Sequence, residues 1–343
     1  MIGYYVHHHG SGHVKRMMTL ADHLDSQVTV LSSLPAPKGW AGEWVVLAPD
    51  DLAAAPVDPT AHGTLHWAPR YDGGLRARVN QVTEWIDRVR PSLFVVDVSV
   101  EVAILVRLTG TPLVIVAMPG DRRDGPHQIA YDLADALLAP WSEHLGLGPS
   151  GDGRLTKTWH VGAFSRFDGR TRAAGTAPDG SVRRSALLLW GAGGIEKLDA
   201  LVDEARSATP GWSWSVAGPG RWLDEDALWQ ELRAADVVVT HAGQNAVAEV
   251  AAAAAPSVVI ASPRPYDEQV HTVRAISRAG IAVGLEGWPE PNHWPDLLAR
   301  AQDLGGQGWR RWAPGDGAQR AAACLDELVA HLRHQHTTAA WPA

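Results

Sequence analysis

Val237-Val238-Val239-Thr240-His241-Ala242-Gly243-Gln244-Asn245-Ala246-Val247-Ala248-Glu249 decides how the chain is read. A β-branched run ends in a polar turn with a glycine, and an Ala-rich amphipathic pattern starts at once. That is a strand, a tight turn and the first turn of a helix, in the order that phosphate sites use. The free N–H groups and positive dipole end of such a helix suit an anionic pyrophosphate. Gly243 lets the backbone approach closely, His241 and Asn245 offer polar side chains, and Glu249 lies about one turn beyond Asn245. A second polar cluster, Pro263-Arg-Pro-Tyr-Asp267-Glu268-Gln269, follows the next apolar run.

Outward from that stretch the alternation continues. In the second half it predicts strands over Ala186–Trp190, Trp212–Ala217, Val237–Thr240 and Ser257–Ala261, with helices near 195–207, 224–233, 244–254 and 268–278. The first half predicts strands over 2–6, Gln27–Ser32, Glu43–Leu47, Pro91–Asp97 and Pro112–Met118, with helices over Val14–Leu24, 76–89 and 100–109. The fold class is therefore α/β: two Rossmann-like, doubly wound domains facing a central cleft. Boundaries fall at 1–162, a Gly/Arg/Pro-rich linker at 163–183, and 184–314. A last helix at 315–336 is free to return to the first domain, and 337–343 read as a disordered tail.

Composition narrows the function. A chain of 343 residues suits two domains. Net charge −8 argues against a dedicated nucleic-acid binder. The single cysteine, Cys324, excludes an intramolecular disulfide framework and fits a reducing compartment. Neither a signal peptide nor a membrane-spanning run is read, so a cytoplasmic protein is expected. His7, His8 and His9 are consecutive, and alternate strand residues face opposite sides, so no metal site is expected there. Asp224-Glu-Asp226 precedes a helix and reads as capping carboxylates. Met17-Met18 read as helix core, and the tryptophan pairs (Trp40/Trp44, Trp212/Trp214, Trp309/Trp312) as packing.

His241-x-Gly243-x-Asn245-x-x-x-Glu249, then Pro256, then Asp267-Glu268-Gln269, resembles the donor box of GT-B glycosyltransferases that use UDP-sugars. The peptidoglycan lipid-intermediate N-acetylglucosaminyltransferase group (family 28) and the UDP-glycosyltransferases both carry versions of it. The resemblance covers roughly residues 236–285. It implies that His241, Ala242, Gly243, Gln244 and Asn245 surround the diphosphate, that Glu249 takes ribose hydroxyls, and that Asp267, Glu268 and Gln269 meet the sugar. Two or so extra residues around Arg264 and Pro265 depart from the pattern. Gly191-Ala-Gly193-Gly194 resembles the family's first glycine loop of the second domain, lying over the diphosphate, and Arg221 would approach the nucleotide.

The turn Gly10-Ser-Gly12-His13, with Arg16 one helical turn on, closes the first strand and so faces the cleft. Arg16 stands where a dinucleotide fingerprint would place a third glycine. Gly12-His13 resembles the Gly-x-Gly-His loop of GT-B enzymes, in which this histidine is the proposed general base. Asp97 ends a buried strand of the same sheet and is the candidate dyad partner, with a helix-capping role as its alternative.

These readings imply an inverting glycosyltransferase with a UDP-sugar donor, His13 as base, and no metal or cofactor. The acceptor is a small molecule or a lipid-linked intermediate; Arg122, Arg123 and His127 would suit a phosphate-bearing one, with peripheral contact at the inner membrane face. Gly12-His13-Val14-x-Arg16-Met-Met-x-Leu-Ala21 also resembles the UDP-sugar hydrolase of pseudaminic acid synthesis, in which water is the acceptor. A nonhydrolysing epimerase and a non-catalytic nucleotide-sugar-binding subunit share the architecture. The fuller donor box favours transfer.

Overall fold

The computed structural model describes residues 1–8, 10, 12–148, 154, 156–170, 184–191, 195 and 197–338, with side chains to 335. Two parallel sheets organise them. Strands β1 (Ile2–Val6), β2 (Val28–Ser32), β3 (Trp44–Val46), β4 (Leu93–Asp97), β5 (Leu113–Val116), β6 (Ala136–Ala139) and β7 (Thr158–His160) form the first. Their spatial order is 3-2-1-4-5-6-7. The second sheet holds β8 (Arg184–Leu189), β9 (Trp212–Ala217), β10 (Val237–His241), β11 (Ser257–Ile260) and β12 (Val283–Leu285). Its order is 12-11-10-8-9. Central strands such as Leu93-Phe-Val-Val-Asp97 are buried along their whole length, as parallel sheets covered on both faces require.

Helices α1 (Gly12–Ala21), α2 (Gly73–Val89), α3 (Val100–Leu108) and α4 (Gly125–Leu133) cover the first sheet. Around the second are α5 (Leu198–Ala208), α6 (Glu225–Ala234), α7 (Gln244–Ala252), α8 (Glu268–Arg278) and α9 (Trp294–Leu304). Helix α10 (Gly317–Thr338) crosses back: Ala318, Ala321, Ala322, Leu325 and Val329 join Met17 and Leu20 in the first domain's core. Asp326 fastens it there by accepting from Ser26 Oγ at 2.7 Å and Asp25 N at 2.9 Å.

Several expectations are corrected. The segment after Gly162 is packed: Phe164 enters the first domain's core and Phe167 the second's, so residues 163–170 staple the domains together. Residues 171–183 lie outside the described residues. Thr337 and Thr338 belong to helix α10 instead of a tail. Strands β6, β7 and β12 and helices α4 and α9 add to the predicted set.

The chain order of each sheet reverses at one place, between β1 and β4 in the first and between β8 and β10 in the second. At such a switch point neighbouring helices leave in opposite directions and open a crevice at the strands' carboxyl ends. The two crevices face one another. Across them Asp121 N donates to Tyr266 O at 2.8 Å, and Asn245 Nδ2 donates to Gly12 O at 2.9 Å. Gly120 makes the first contact feasible, because at φ +109° a Cβ there would stand 2.4 Å from Tyr266 O.

Candidate active site

The cleft holds a cavity of about 620 Å³ whose wall includes His13 and Arg16 from one domain and Gly191, His241, Gly243 and Gln269 from the other. On the first domain's side β1 and β4 run in register, Val6 beside Asp97, so the α1 turn and the end of β4 converge. His13 Nδ1 lies 3.0 Å from Asp97 Oδ1. Asp97 is fully buried and also receives Arg16, through Nε at 3.2 Å and Nη2 at 2.5 Å. Burial alone would raise the Asp97 pKa; the Arg16 charge, and after it His13, outweigh burial and hold it at about 2. Asp97 is thus an anion that only accepts, which calls for a proton on His13 Nδ1 and leaves Nε2 as the basic nitrogen. Arg16 Nη2 also stands 3.0 Å from that Nδ1, but its acceptor is Asp97.

Facing this turn, His241 ends β10 and Gly243 is the N-cap of α7, with no side-chain cap. The first N–H groups of α7 therefore have no partner within the helix. His241 Nδ1 accepts from Gly243 N at 3.0 Å, which makes Nε2 the protonated, donating nitrogen. Burial, and then the Arg264 charge, lower the His241 pKa to about 4, so the ring is neutral at physiological pH. A Cβ on Gly243 would lie 2.4 Å from His241 Cε1, so only glycine fits under the ring.

The remaining predicted donor residues divide. Gly12, Gly191, Gln244, Asn245, Glu249, Glu268 and Gln269 line the cavity. Gly193 and Gly194 fall outside the described residues. Ala242 is fully buried, and its N–H is engaged by Ile260 O at 2.9 Å, within the sheet. Asp267 is exposed and away from the cavity wall, because a left-handed turn at Tyr266 and Asp267 directs it outward. The amide groups of Gln244 and Asn245 bridge to the first domain, Gln244 Oε1 accepting from Arg16 and Asn245 donating to Gly12. Glu249 is buried against Arg166 (3.0 Å) and Lys15 (3.9 Å). Glu268 pairs with Arg122 at 3.5 Å, and Gln269 Oε1 accepts from Ser262 N at 2.9 Å.

Arg16, Lys15, Arg166, Trp222 and Arg264 also line the cavity, and no motif in the sequence assigns them to the donor site. Only spacing points to Arg16, one turn after His13 on the same helix face. Arg221, expected near the nucleotide, instead binds Val216 O at 2.8 Å and Glu231 at 2.8 Å. Asp224 caps α6 through Ala227 N at 2.8 Å, as its position implies.

Among the described residues, two groups bring possible metal-ligand atoms within 4.8 Å of one another: His66 with Asp124 and His127, and His8 with Asp50 and Asp51. In the first, Asp124 binds both imidazoles, and Arg122 Nη1 stands 2.9 Å from His127 Nε2. Those atoms already have partners.

Two facing parallel-sheet domains, each with a histidine turn at its switch point, define the GT-B class, and this chain has the GT-B fold. Residues 225–287 match the glycosyltransferase family 28 C-terminal domain. A UDP-N-acetylglucosamine–N-acetylmuramyl-(pentapeptide) pyrophosphoryl-undecaprenol N-acetylglucosamine transferase from Nocardioides sp. (strain ATCC BAA-499 / JS614) is 27% identical, over 93% of this chain and 95% of that protein. The kitacinnamycin glycotransferase structure superposes with TM-score 0.63 at 17% identity, covering 95% of this chain and 98% of its own. The calicheamicin glycosyltransferase CalG4 gives TM-score 0.64 at 15% identity, covering 96% and 98%. The family 28 C-terminal domain and the relative spanning 93% of the chain support glycosyl transfer as its activity.

Proposed function

We propose that the enzyme moves a sugar from a UDP-sugar to an acceptor hydroxyl with inversion, and that His13 is the general base. The observation that carries this reading is the His13–Asp97 pair at 3.0 Å, on the cleft wall opposite the uncapped N-terminus of α7. His13 Nε2 takes the acceptor hydroxyl's proton as that oxygen bonds to the anomeric carbon. The bond from that carbon to the diphosphate oxygen breaks, and UDP departs with the electron pair. Asp97 holds the ring's tautomer and balances the imidazolium that forms.

The departing diphosphate would meet the α7 N–H groups, the His241 Nε2–H and the nearby Arg264 charge, so no metal is required by the reading. Glu249 and Gln269 are assigned to the ribose and sugar hydroxyls. A uridine nucleotide and an N-acetylglucosaminyl donor are supported by the 27% identical transferase, whose name specifies UDP-N-acetylglucosamine. The acceptor in that relative's name is a pyrophosphoryl-undecaprenol; an acceptor of that kind would bring an enzyme to the cytoplasmic membrane face. Among the described residues no helix is long and apolar enough to cross a membrane, so such contact would be peripheral.

Transfer is preferred to hydrolysis because a second cavity, of about 380 Å³, lies beside His13: His7 lines it, and the His7 and His13 rings are 5.9 Å apart. Water needs no such space. UDP release should be measured with and without acceptor, in EDTA, for wild type and His13→Ala. Acceptor-dependent release, unaffected by EDTA and lost in the variant, is expected. Equal release without acceptor would establish the hydrolase instead.

A further inference from the structure

We propose that the acceptor is an apolar hydroxyl compound bearing a cationic amine, seated in the cavity beside His13 with its ammonium against Asp50 and Asp51. This rests on the transfer reading and names its acceptor class.

The cavity of about 380 Å³ has the size of a small-molecule site. Tyr5, Trp67, Leu75, Val82, Val102 and Leu105 give it an apolar body. Its charged wall is Asp50, Asp51 and Glu101 against the single guanidinium of Arg78. Glu101 is engaged internally: Oε1 accepts from the backbone of His66 (2.8 Å) and Trp67 (3.0 Å), and Oε2 accepts from Ser99 (3.3 Å).

Arg78 is also engaged within the domain. It donates to Ala48 O at 3.1 Å, Tyr5 OH at 2.7 Å and Ser33 Oγ at 2.5 Å. It stands 2.9 Å from Asp50 Oδ1, yet no aligned hydrogen bond reaches that buried oxygen. Burial pushes the Asp50 pKa up, with Arg78 and then His8 opposing it incompletely. Asp50, 8% exposed, therefore keeps one carboxylate oxygen without an aligned hydrogen-bond donor, which an ammonium supplies. Asp51 is beside it, with His8 Nε2 at 3.2 Å from Asp51 and 3.8 Å from Asp50.

The same accounting disfavours a phosphate-bearing acceptor. Arg122 is buried, bonded to Pro119 O at 3.2 Å, paired with Glu268 and placed over the Tyr266 ring. Arg123 is held by Asp121 at 2.6 and 2.7 Å. Neither lines this cavity. An anion entering it would face the Asp50 carboxylate, whose Oδ1 has no aligned hydrogen bond, with the Asp51 carboxylate beside it.

The test uses para-hydroxybiphenyls carrying aminomethyl, ethyl or carboxylate at the far para position. Binding to the full-length protein is measured by calorimetry with UDP present, and UDP release is measured separately from a UDP-sugar. The ammonium compound is expected to bind at least about tenfold tighter than its ethyl isostere, with the carboxylate weakest. Asp51→Asn and Asp50→Asn should each bring the amine-to-ethyl ratio below about threefold while ethyl binding persists. Equal binding of amine and ethyl compounds, a preference for the carboxylate, or an amine preference unchanged in both variants would overturn the proposal. Amine-selective binding without UDP release would support the cavity's assignment and count against the transfer reading alone.

Discussion

His13 and His241 stand at the carboxyl ends of switch-point strands in the two domains, His13 in the first turn of α1 and His241 at the last position of β10. Each has its Nδ1 at 3.0 Å from one partner, and the partners are opposite in kind. For His13 the partner is a buried carboxylate, so Nδ1 is protonated and Nε2 is a base. For His241 it is a backbone N–H, so Nδ1 accepts and Nε2 is a donor. One residue type is thereby set to take a proton on one wall of the cleft and to give a hydrogen bond on the other. The choice is made by the neighbour, an acidic strand end in one turn and a glycine in the other.

The largest effects should come from the first turn. His13→Ala is expected to reduce kcat by about 10²–10⁴-fold, as loss of a general base does. Asp97→Asn should also reduce kcat, by at least about 100-fold on the same scale, and leave Arg16 buried without its anion. Breaking such a buried pair costs roughly 3–5 kcal/mol, so urea unfolding must be measured alongside activity. Near-normal kcat in a folded Asp97→Asn protein would dissolve the distinction between the two histidines. Acid should act similarly on the fold. The Asp97 pKa lies below its ordinary 3.8, so its stabilisation is complete above 3.8 and lost as pH falls towards about 2.

Much of this contrast is legible in the amino-acid sequence. β-Branched runs such as Val237-Val-Val and apolar runs such as Leu93-Phe-Val-Val mark the central strands, and strand ends in a parallel sheet set where His13, Asp97 and His241 lie. Their roles are implied only by the family resemblance, and the ring tautomers are not legible, because those depend on which atom each ring faces. Ala136-Leu-Leu-Ala139 has no β-branched residue, and β7 and β12 have three residues each, so their signals are weak. Helix α9 opens Trp294-Pro, and α4 opens Gly125-Pro, which read as breakers until their place at a first turn is known. The pairing of Arg166 with Glu249 spans 83 positions, and no local pattern encodes it.

The second turn should yield smaller, donor-directed changes. His241→Ala is expected to raise the donor KM about tenfold, the loss of one charge-assisted hydrogen bond, with kcat reduced less than in His13→Ala. Because its pKa is about 4, His241 itself should add no step to the donor KM between pH 5 and 8. Such a step near 6.5, absent from His241→Ala, would show an ordinary, solvated imidazole. Its lowered pKa also means that its neutral-state contribution to stability is lost as pH falls from 6.5 to about 4. Gly243→Ala should act through the same ring: the added Cβ forces it aside, costing roughly 1–3 kcal/mol and raising donor KM without a comparable loss in kcat.

The smallest expected effect is the sharpest test of how cleanly the two turns divide the work. Lys15 follows the first turn, lines the same cavity and reaches Glu249 on the second domain at 3.9 Å, with its side chain 45% exposed. An exposed pair of this length contributes about 0–1 kcal/mol, and Arg166 at 3.0 Å already holds Glu249. Lys15→Ala should therefore change stability by less than about 0.5 kcal/mol and donor KM by less than about twofold. The geometry would still allow the ammonium to swing onto a bound diphosphate. A rise in donor KM of tenfold or more, at unchanged stability, would mean that it does. The histidine comparison would then be incomplete, because the turn that supplies the base would also grip the leaving group.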